Sequence, residues 1–206
     1  MGVVLEIEEL LFDTRALRSA ALHTALRDEG VNCLLADVDA AHAGATAVMA
    51  LDRLPGTAAL DVVAHDLVLR RAGDTVRASI ARELPTFNPA AREVVERIAA
   101  EFPVAVVTRA ERADAEHMLE QVGLLASVRL IRSLGDLPQS AQHEVWRTAV
   151  ARLHVRRGVA IAPVALLEAA RAAGLRTIAV GPDTTAHGSA LLSLSQLDSS
   201  FLSSFF

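Results

Sequence analysis

Apolar and polar positions along this chain follow two rhythms. Short, largely apolar runs occur at 1–7 (MGVVLEI), 103–108 (PVAVVT), 127–131 (SVRLI), 158–163 (GVAIAP) and 176–181 (RTIAVG). Runs this short, rich in β-branched residues and bounded by Gly, Pro or polar residues, predict strands, with those at 1–7 and 103–108 buried. Between them, apolar residues fall at helical spacing and predict helices over 14–29, 90–100, 111–122, 140–153 and 164–173. The first carries Leu17, Ala21, Leu22 and Ala25 on one face, with Thr14 placed to cap it and Gly30 to stop it. Strands alternating with helices predict an α/β fold, a Rossmann-like parallel sheet with helices on both faces.

Two stretches depart from this alternation. Residues 34–83 are helical in pattern, with breaks expected at 54–56 (LPG) and 72–74 (AGD) and no strand-like run, which predicts a small helical insert. Residues 83–89 (ELPTFNP) carry two prolines and read as a linker. At the other end, 190–206 (ALLSLSQLDSSFLSSFF) places Leu194, Leu197, Phe201 and Phe205 at three- or four-residue steps. As a helix it would present one apolar stripe, expected either to pack on the chain's own core or to dock on a protein partner or a second copy.

Composition narrows the function classes. Of the 206 residues, 52% are hydrophobic and 22% charged, enough apolar material for a sizeable core. A net charge of −5 disfavours nucleic-acid binding, and an aromatic content of 3% with no Tyr disfavours base-stacking surfaces. Cys33 is the single cysteine, so neither an internal disulfide nor a cysteine zinc cluster is available; it reads as a small buried apolar residue. With no basic leader before an apolar stretch and no spanning run, the chain is expected to be cytoplasmic, with no membrane span. All 20 basic residues are Arg and none is Lys.

The first strand runs into two carboxylates, Glu6 and Glu8, followed by an apolar turn and Asp13-Thr14. In an open parallel sheet, ligands sit beyond the carboxyl ends of the strands, where Glu6, Glu8, Thr108 and Ala162-Pro163 all fall. The ordered set 6–14 (EIEELLFDT), 104–125 (VAVVTRAERADAEHMLEQVGLL) and 168–181 (EAARAAGLRTIAVG) resembles the haloacid dehalogenase superfamily, in its phosphoglycolate phosphatase and β-phosphoglucomutase-like branch. The resemblance covers about residues 3–197. It implies a core at 1–14 and 85–197, a helical cap at 15–84 and an apolar C-terminal extension at 198–206.

The resemblance also implies a chemistry. Family members transfer a phosphoryl group through an aspartyl-phosphate, the first Asp as nucleophile and the second as general acid and base. Mg²⁺ is held by the first Asp, a backbone carbonyl and an acid of the fourth motif, and a Lys neutralises the phosphate. On this chain the nucleophile position is Glu6, the acid/base position Glu8, the following Gly is Glu9, and the phosphate-holding hydroxyl is Thr108. Glu keeps the charge but displaces the carboxylate by one methylene, and a displacement of about 1 Å can cost roughly a hundredfold in rate. The Lys expected near Ser140–Ala141 is missing, and the acidic pair falls on Ile161 and Ala162. Arg109, Arg132 and Arg147 are candidates to supply the charge, and Asp136 and Asp183 to supply a carboxylate. HAGAT (42–46) reads first as a helix break; it also lies where family caps carry a small-residue loop facing the active site, where His42 and Thr46 could contact a ligand, and Thr108, Arg109 and His42 are the ligand-binding candidates. The seven histidines form no pair at metal-ligand spacing, and no P-loop or G-x-S-x-G elbow occurs.

The concerted change of nucleophile, Lys and metal acids predicts a catalytically degenerate member acting as a binding or structural subunit in a protein assembly. No cofactor is then expected, and the partner is a protein or another copy of the chain. The alternative is a phosphatase hydrolysing a small phosphomonoester with Glu6 and Glu8 in place of the aspartates and Mg²⁺ as cofactor. A third reading is a sensor that binds a ligand in the cap cleft without chemistry.

Overall fold

The computed structural model describes residues 1–8, 10–135 and 139–180. The expectations for Glu9, Asp136, Asp183 and the stripe Leu194, Leu197, Phe201 and Phe205 lie outside the described residues. In chain order the elements are β1 (Gly2–Glu6), β2 (Phe12–Asp13), α1 (Arg15–Asp28), α2 (Leu35–His42), α3 (Ala47–Arg53), α4 (Val62–Arg82), β3 (Thr86–Phe87) and α5 (Pro89–Glu101). Then come β4 (Val104–Thr108), α6 (Arg112–Gln121), β5 (Leu130–Ser133), α7 (Gln139–Arg152), β6 (Gly158–Ala162), α8 (Val164–Ala172) and β7 (Arg176–Ala179).

Five strands form one sheet in the order β5-β4-β1-β6-β7, and every pairing in it is parallel. Three of the largely apolar runs become β1, β4 and β6, buried along their whole length because helices cover both faces. Successive side chains point to opposite faces of a strand, so each run feeds two cores. Val3, Leu5, Val104 and Val106 join Val94, Ile98, Met118 and Leu119 on the side of α5 and α6. Val4, Ala105 and Ala160 join Trp146, Leu166, Leu167 and Ala170 on the side of α7 and α8.

β1 lies between β4 and β6, so the strand order reverses around it. A crevice opens at the carboxyl end of β1, where Glu6 and Glu8 stand.

Helices α1 to α4 pack around their own apolar cluster, including Leu22, Leu26, Val38, Leu51 and Val68. The break expected at 54–56 is present: α3 stops at Arg53, and Gly56 takes φ +93°. The break expected at 72–74 is not; α4 runs continuously through Gly73. Asp61 caps it by accepting from Ala64 N at 2.8 Å, and Arg70–Asp66 and Arg77–Asp74 pairs brace its exposed side. Burial of Val68 and Ala72 against α1 outweighs the roughly 1 kcal/mol penalty of a helical glycine.

Other boundaries moved as well. The third strand is Leu130–Ser133 rather than 127–131, because a short 3-10 turn takes up Leu125–Ser127. The stretch expected as a linker contains β3, which pairs antiparallel with β2 and sets Phe12 against Phe87 at 5.5 Å between ring centres. Two-residue strands lack the length to show period-two alternation, so this ribbon was invisible in the pattern. Thr14 occupies the cap position of α1 but makes no capping bond; Asp13 Oδ1 accepts from Arg15 N at 3.3 Å instead. Cys33 is half-buried rather than buried, and desolvation, with Asp37 nearby, raises its thiol pKa, which fits an unreactive thiol. No helix among the described residues is long and apolar enough to cross a membrane.

Candidate functional site

Glu6 ends β1, and Glu8 lies in the turn that follows, where Leu11 N and Phe12 N both donate to Ile7 O. Both carboxylates are fully buried. Across the crevice, β4 ends at Thr108 and leads into Arg109 and Ala110. This turn is held from β5: Leu134 N donates to Thr108 O at 2.7 Å and Ser133 Oγ to Ala110 O at 2.6 Å.

The two acids meet this turn differently. Glu6 Oε1 accepts from Arg109 Nε at 2.9 Å, an ion pair with its arginine side chain only 4% exposed. Glu8 Oε1 is the focus of four donors. They are Thr108 Oγ1 at 2.9 Å, Arg109 N at 2.9 Å, Ala110 N at 2.6 Å and, from α1, Arg18 Nη1 at 3.2 Å. Arg109 N also reaches Glu8 Oε2 at 3.1 Å, and Arg18 Nη2 donates to Arg109 O at 3.0 Å. A carboxylate buried at this depth is tolerated because its charge is matched and its lone pairs are satisfied.

Burial alone would raise the Glu8 pKa. The Arg109 and Arg18 charges, a side-chain hydrogen bond with Glu6 and the Arg109 N–H outweigh it and hold the pKa at about 2, below its ordinary 4.5. A depressed carboxylate contributes stability above its unfolded pKa and loses it as pH falls through the folded one. That contribution, roughly 3 kcal/mol at ~1.4 kcal/mol per pH unit, is expected to disappear between pH 4.5 and about 2. Urea unfolding of wild type and Glu8→Gln at pH 7 and pH 2.5 checks it. The gap between the two proteins should narrow in acid, and a gap that stays constant refutes it. His42 adds a separate acid-labile component in both proteins, because its folded pKa lies below its unfolded one.

Above the carboxylates, a cavity of about 330 Å³ opens between the helical unit and the sheet. Arg18, Arg70, Arg77, Arg109, His42 and the apolar Leu22, Leu69 and Val76 are among its lining residues. The arginines carry partners: Arg70 pairs with Asp66, and Arg77 pairs with Asp74 and with Glu111, which precedes α6. His42 ends α2, is 3% exposed, and its Nδ1 has no hydrogen-bond partner. Burial, then the Arg18 and Arg109 charges, lower its pKa to about 3 against the opposing pull of Asp39, with Arg15 adding to the lowering. The imidazole is therefore neutral near pH 7. Gly44 explains the small residues of 42–46: its φ is +62°, and a Cβ there would overlap the Ala165 side chain at the start of α8. Thr46 is buried and caps α3, accepting from Met49 N at 3.4 Å, so its hydroxyl is committed to structure.

Of the residues singled out in the sequence, Glu6, Glu8, Thr108 and Arg109 come together, and His42 lines the adjoining cavity. Arg132 and Arg147 do not join them. Arg132 is exposed on β5, and Arg147 pairs with Glu144 on the outer side of α7. No local sequence pattern marks Arg18; only the folding of α1 over the strand ends brings it to Glu8.

Mg²⁺, which the resemblance implies, does not fit the donors among the described residues. Ile161 and Ala162 stand buried and apolar at the end of β6, and Glu6 and Glu8 are engaged by guanidinium and N–H donors. Among the described residues, no group of three or more His, Cys, Asp or Glu is placed to hold a metal ion.

No family model and no curated protein sequence matches the chain. Solved structures do. CbbY from Rhodobacter sphaeroides in complex with phosphate is 20% identical over 95% of each chain, with a TM-score of 0.74. A β-phosphoglucomutase from Clostridium difficile is 13% identical over 98% of this chain and 95% of its own, with a TM-score of 0.79. A haloacid dehalogenase-like hydrolase from Streptococcus pneumoniae is 13% identical over 100% of this chain and 98% of its own, with a TM-score of 0.71. At these identities the likeness establishes the fold: the chain has the haloacid dehalogenase-like α/β fold.

Proposed function

We propose that this chain is a non-hydrolysing binding protein on a phosphatase fold, taking a small ligand into the cavity between the helical unit and the sheet. The observation that carries the reading is the state of Glu8. A general acid works best with a pKa near the working pH. Glu8 has a pKa of about 2 and is clamped by Thr108, Ala110, Arg109 and Arg18, so it is a poor proton donor at neutral pH. Glu6, at the nucleophile position, is tied to Arg109. The expected result is that phosphomonoesters such as p-nitrophenyl phosphate and phosphoglycolate, offered with Mg²⁺, turn over no faster with wild type than with Glu6→Gln.

A second reading is a phosphatase acting on a small phosphomonoester. The company of the fold favours it, since CbbY was solved with phosphate and another structural relative is a β-phosphoglucomutase. The guanidinium of Arg109 beside Glu6 also supplies positive charge where the missing Lys would have done so. Mg²⁺-dependent turnover that Glu6→Gln abolishes would establish this reading and overturn the first.

The assembly role rests on the apolar spacing of Leu194, Leu197, Phe201 and Phe205. In the same set of experiments, removing residues 198–206 should release a bound partner or dissociate a homo-oligomer. Association unchanged by that truncation removes this part of the proposal.

A further inference from the structure

The turn 108–110 presents two backbone N–H groups and one hydroxyl toward a single point, and Arg18 adds a guanidinium from above. Converging donors of this kind form a concave anion nest, suited to a tetrahedral oxoanion as well as to a carboxylate. Here the point of convergence is Glu8 Oε1, with a hydrogen bond as short as 2.6 Å from Ala110 N. The nest is built from β4, braced from β5 and roofed by α1, yet its anion comes from the chain's own turn after β1. We infer that Glu8 is the resident anion of this nest and the specificity-determining residue of the cavity, excluding phosphate and other free oxoanions from it.

Three features of the site support the inference. Glu8 is fully buried, so an incoming oxoanion cannot share the nest with it and must displace it. Displacement would exchange one anion for another in the nest and strip the Glu8 carboxylate of its four donors. The other arginines lining the cavity offer no easy substitute, because Arg70 and Arg77 are paired with Asp66, Asp74 and Glu111. The rest of the lining includes apolar Leu22, Leu69 and Val76, the carboxylate of Asp114 and the neutral His42, whose Nδ1 lacks a protein partner. A ligand in the wild-type cavity is therefore one that carries no phosphate at the sheet end.

The test is a gain of binding, measured by calorimetry with inorganic phosphate on the full chain. Wild type should bind phosphate no tighter than about 10 mM, and Glu8→Ala at least about tenfold tighter. Glu8→Asp is the second opened variant. It keeps the charge beside Arg18 but withdraws the carboxylate by about 1.5 Å, one carbon–carbon bond. It should also gain binding, and it serves where Glu8→Ala folds poorly by circular dichroism. Glu8→Gln keeps the space filled and should stay at the wild-type level. Adding Thr108→Val to Glu8→Ala should remove about tenfold or more of the gain, the effect of losing one hydrogen bond to a charged group.

Phosphate binding to wild type as tight as to the opened variants overturns the inference. So does a folded Glu8→Ala or Glu8→Asp with no gain, or an equal gain in Glu8→Gln. The inference does not depend on the absence of catalysis alone. Glu6-dependent turnover in wild type would defeat it together with the proposed function. Absent turnover with no gain in the opened variants would defeat it by itself.

Discussion

Replacing Arg109 by Met is expected to destabilise the protein by about 3–5 kcal/mol at pH 7, the usual effect of removing one partner from a buried ion pair. Its guanidinium donates to Glu6 and is the largest charge holding Glu8 ionised, and both acids are fully buried. Met has similar length and no charge, so packing is largely kept while two carboxylates lose their main counter-charge. Against a total stability of about 5–15 kcal/mol, this is a large fraction. The loss should shrink toward pH 5, because carboxylates with a weakened counter-charge have raised pKa values and can neutralise by taking up protons. Arg109→Lys should fall between wild type and Met, since an ammonium restores charge but not the planar fork. Urea unfolding followed by circular dichroism at the two pH values decides it. A Met variant as stable as wild type at pH 7 would mean that the pair is not needed to hold the acids in place.

Trp146→Ala is expected to cost about 3–5 kcal/mol for a different reason. The indole is fully buried on α7, in the core that contains Val4, Leu153, Leu166, Leu167 and Ala170. Truncation leaves a cavity between α7, α8 and the sheet, which rigid elements on both sides cannot collapse to fill. The indole Nε1 has no hydrogen-bond partner. Trp146→Phe should therefore cost clearly less than Ala, because it keeps most of the volume and removes an unsatisfied donor with a desolvation penalty of about 1–3 kcal/mol. Circular dichroism must follow the unfolding, since Trp146 is the only tryptophan. Equal losses for Phe and Ala would show that ring volume is not what this position supplies.

The largely apolar runs at 103–108 and 158–163 became β4 and β6 because a strand covered on both faces has no polar side to show. The alternation of runs and helical stretches was enough for the α/β class, since only a parallel sheet accommodates that order. Where neighbours outside the segment decided the outcome, the pattern misled. Gly73 looked like a break and became helix interior because α1 buries Val68 and Ala72. Residues 86–87 looked like linker and became a strand because Phe12 and Asp13 were there to pair with them.

At the candidate site the division is sharper. The identities of Glu6, Glu8, Thr108, Ile161 and Ala162, and the lack of any lysine, stand in the sequence. Which acid pairs with which arginine does not. Glu6 and Glu8 are two residues apart and chemically alike, yet one meets the Arg109 guanidinium and the other a nest of two main-chain N–H groups, a hydroxyl and the Arg18 guanidinium. Residues separated by about a hundred positions met across two strand ends, and α1 brought Arg18 over them. Local pattern by itself determined the layers, because burial on one or two faces imposes a period on the chain. Only the tertiary structure decided that Glu8 fills the anion nest, because hydrogen-bond partnership depends on distances that no spacing along the chain encodes.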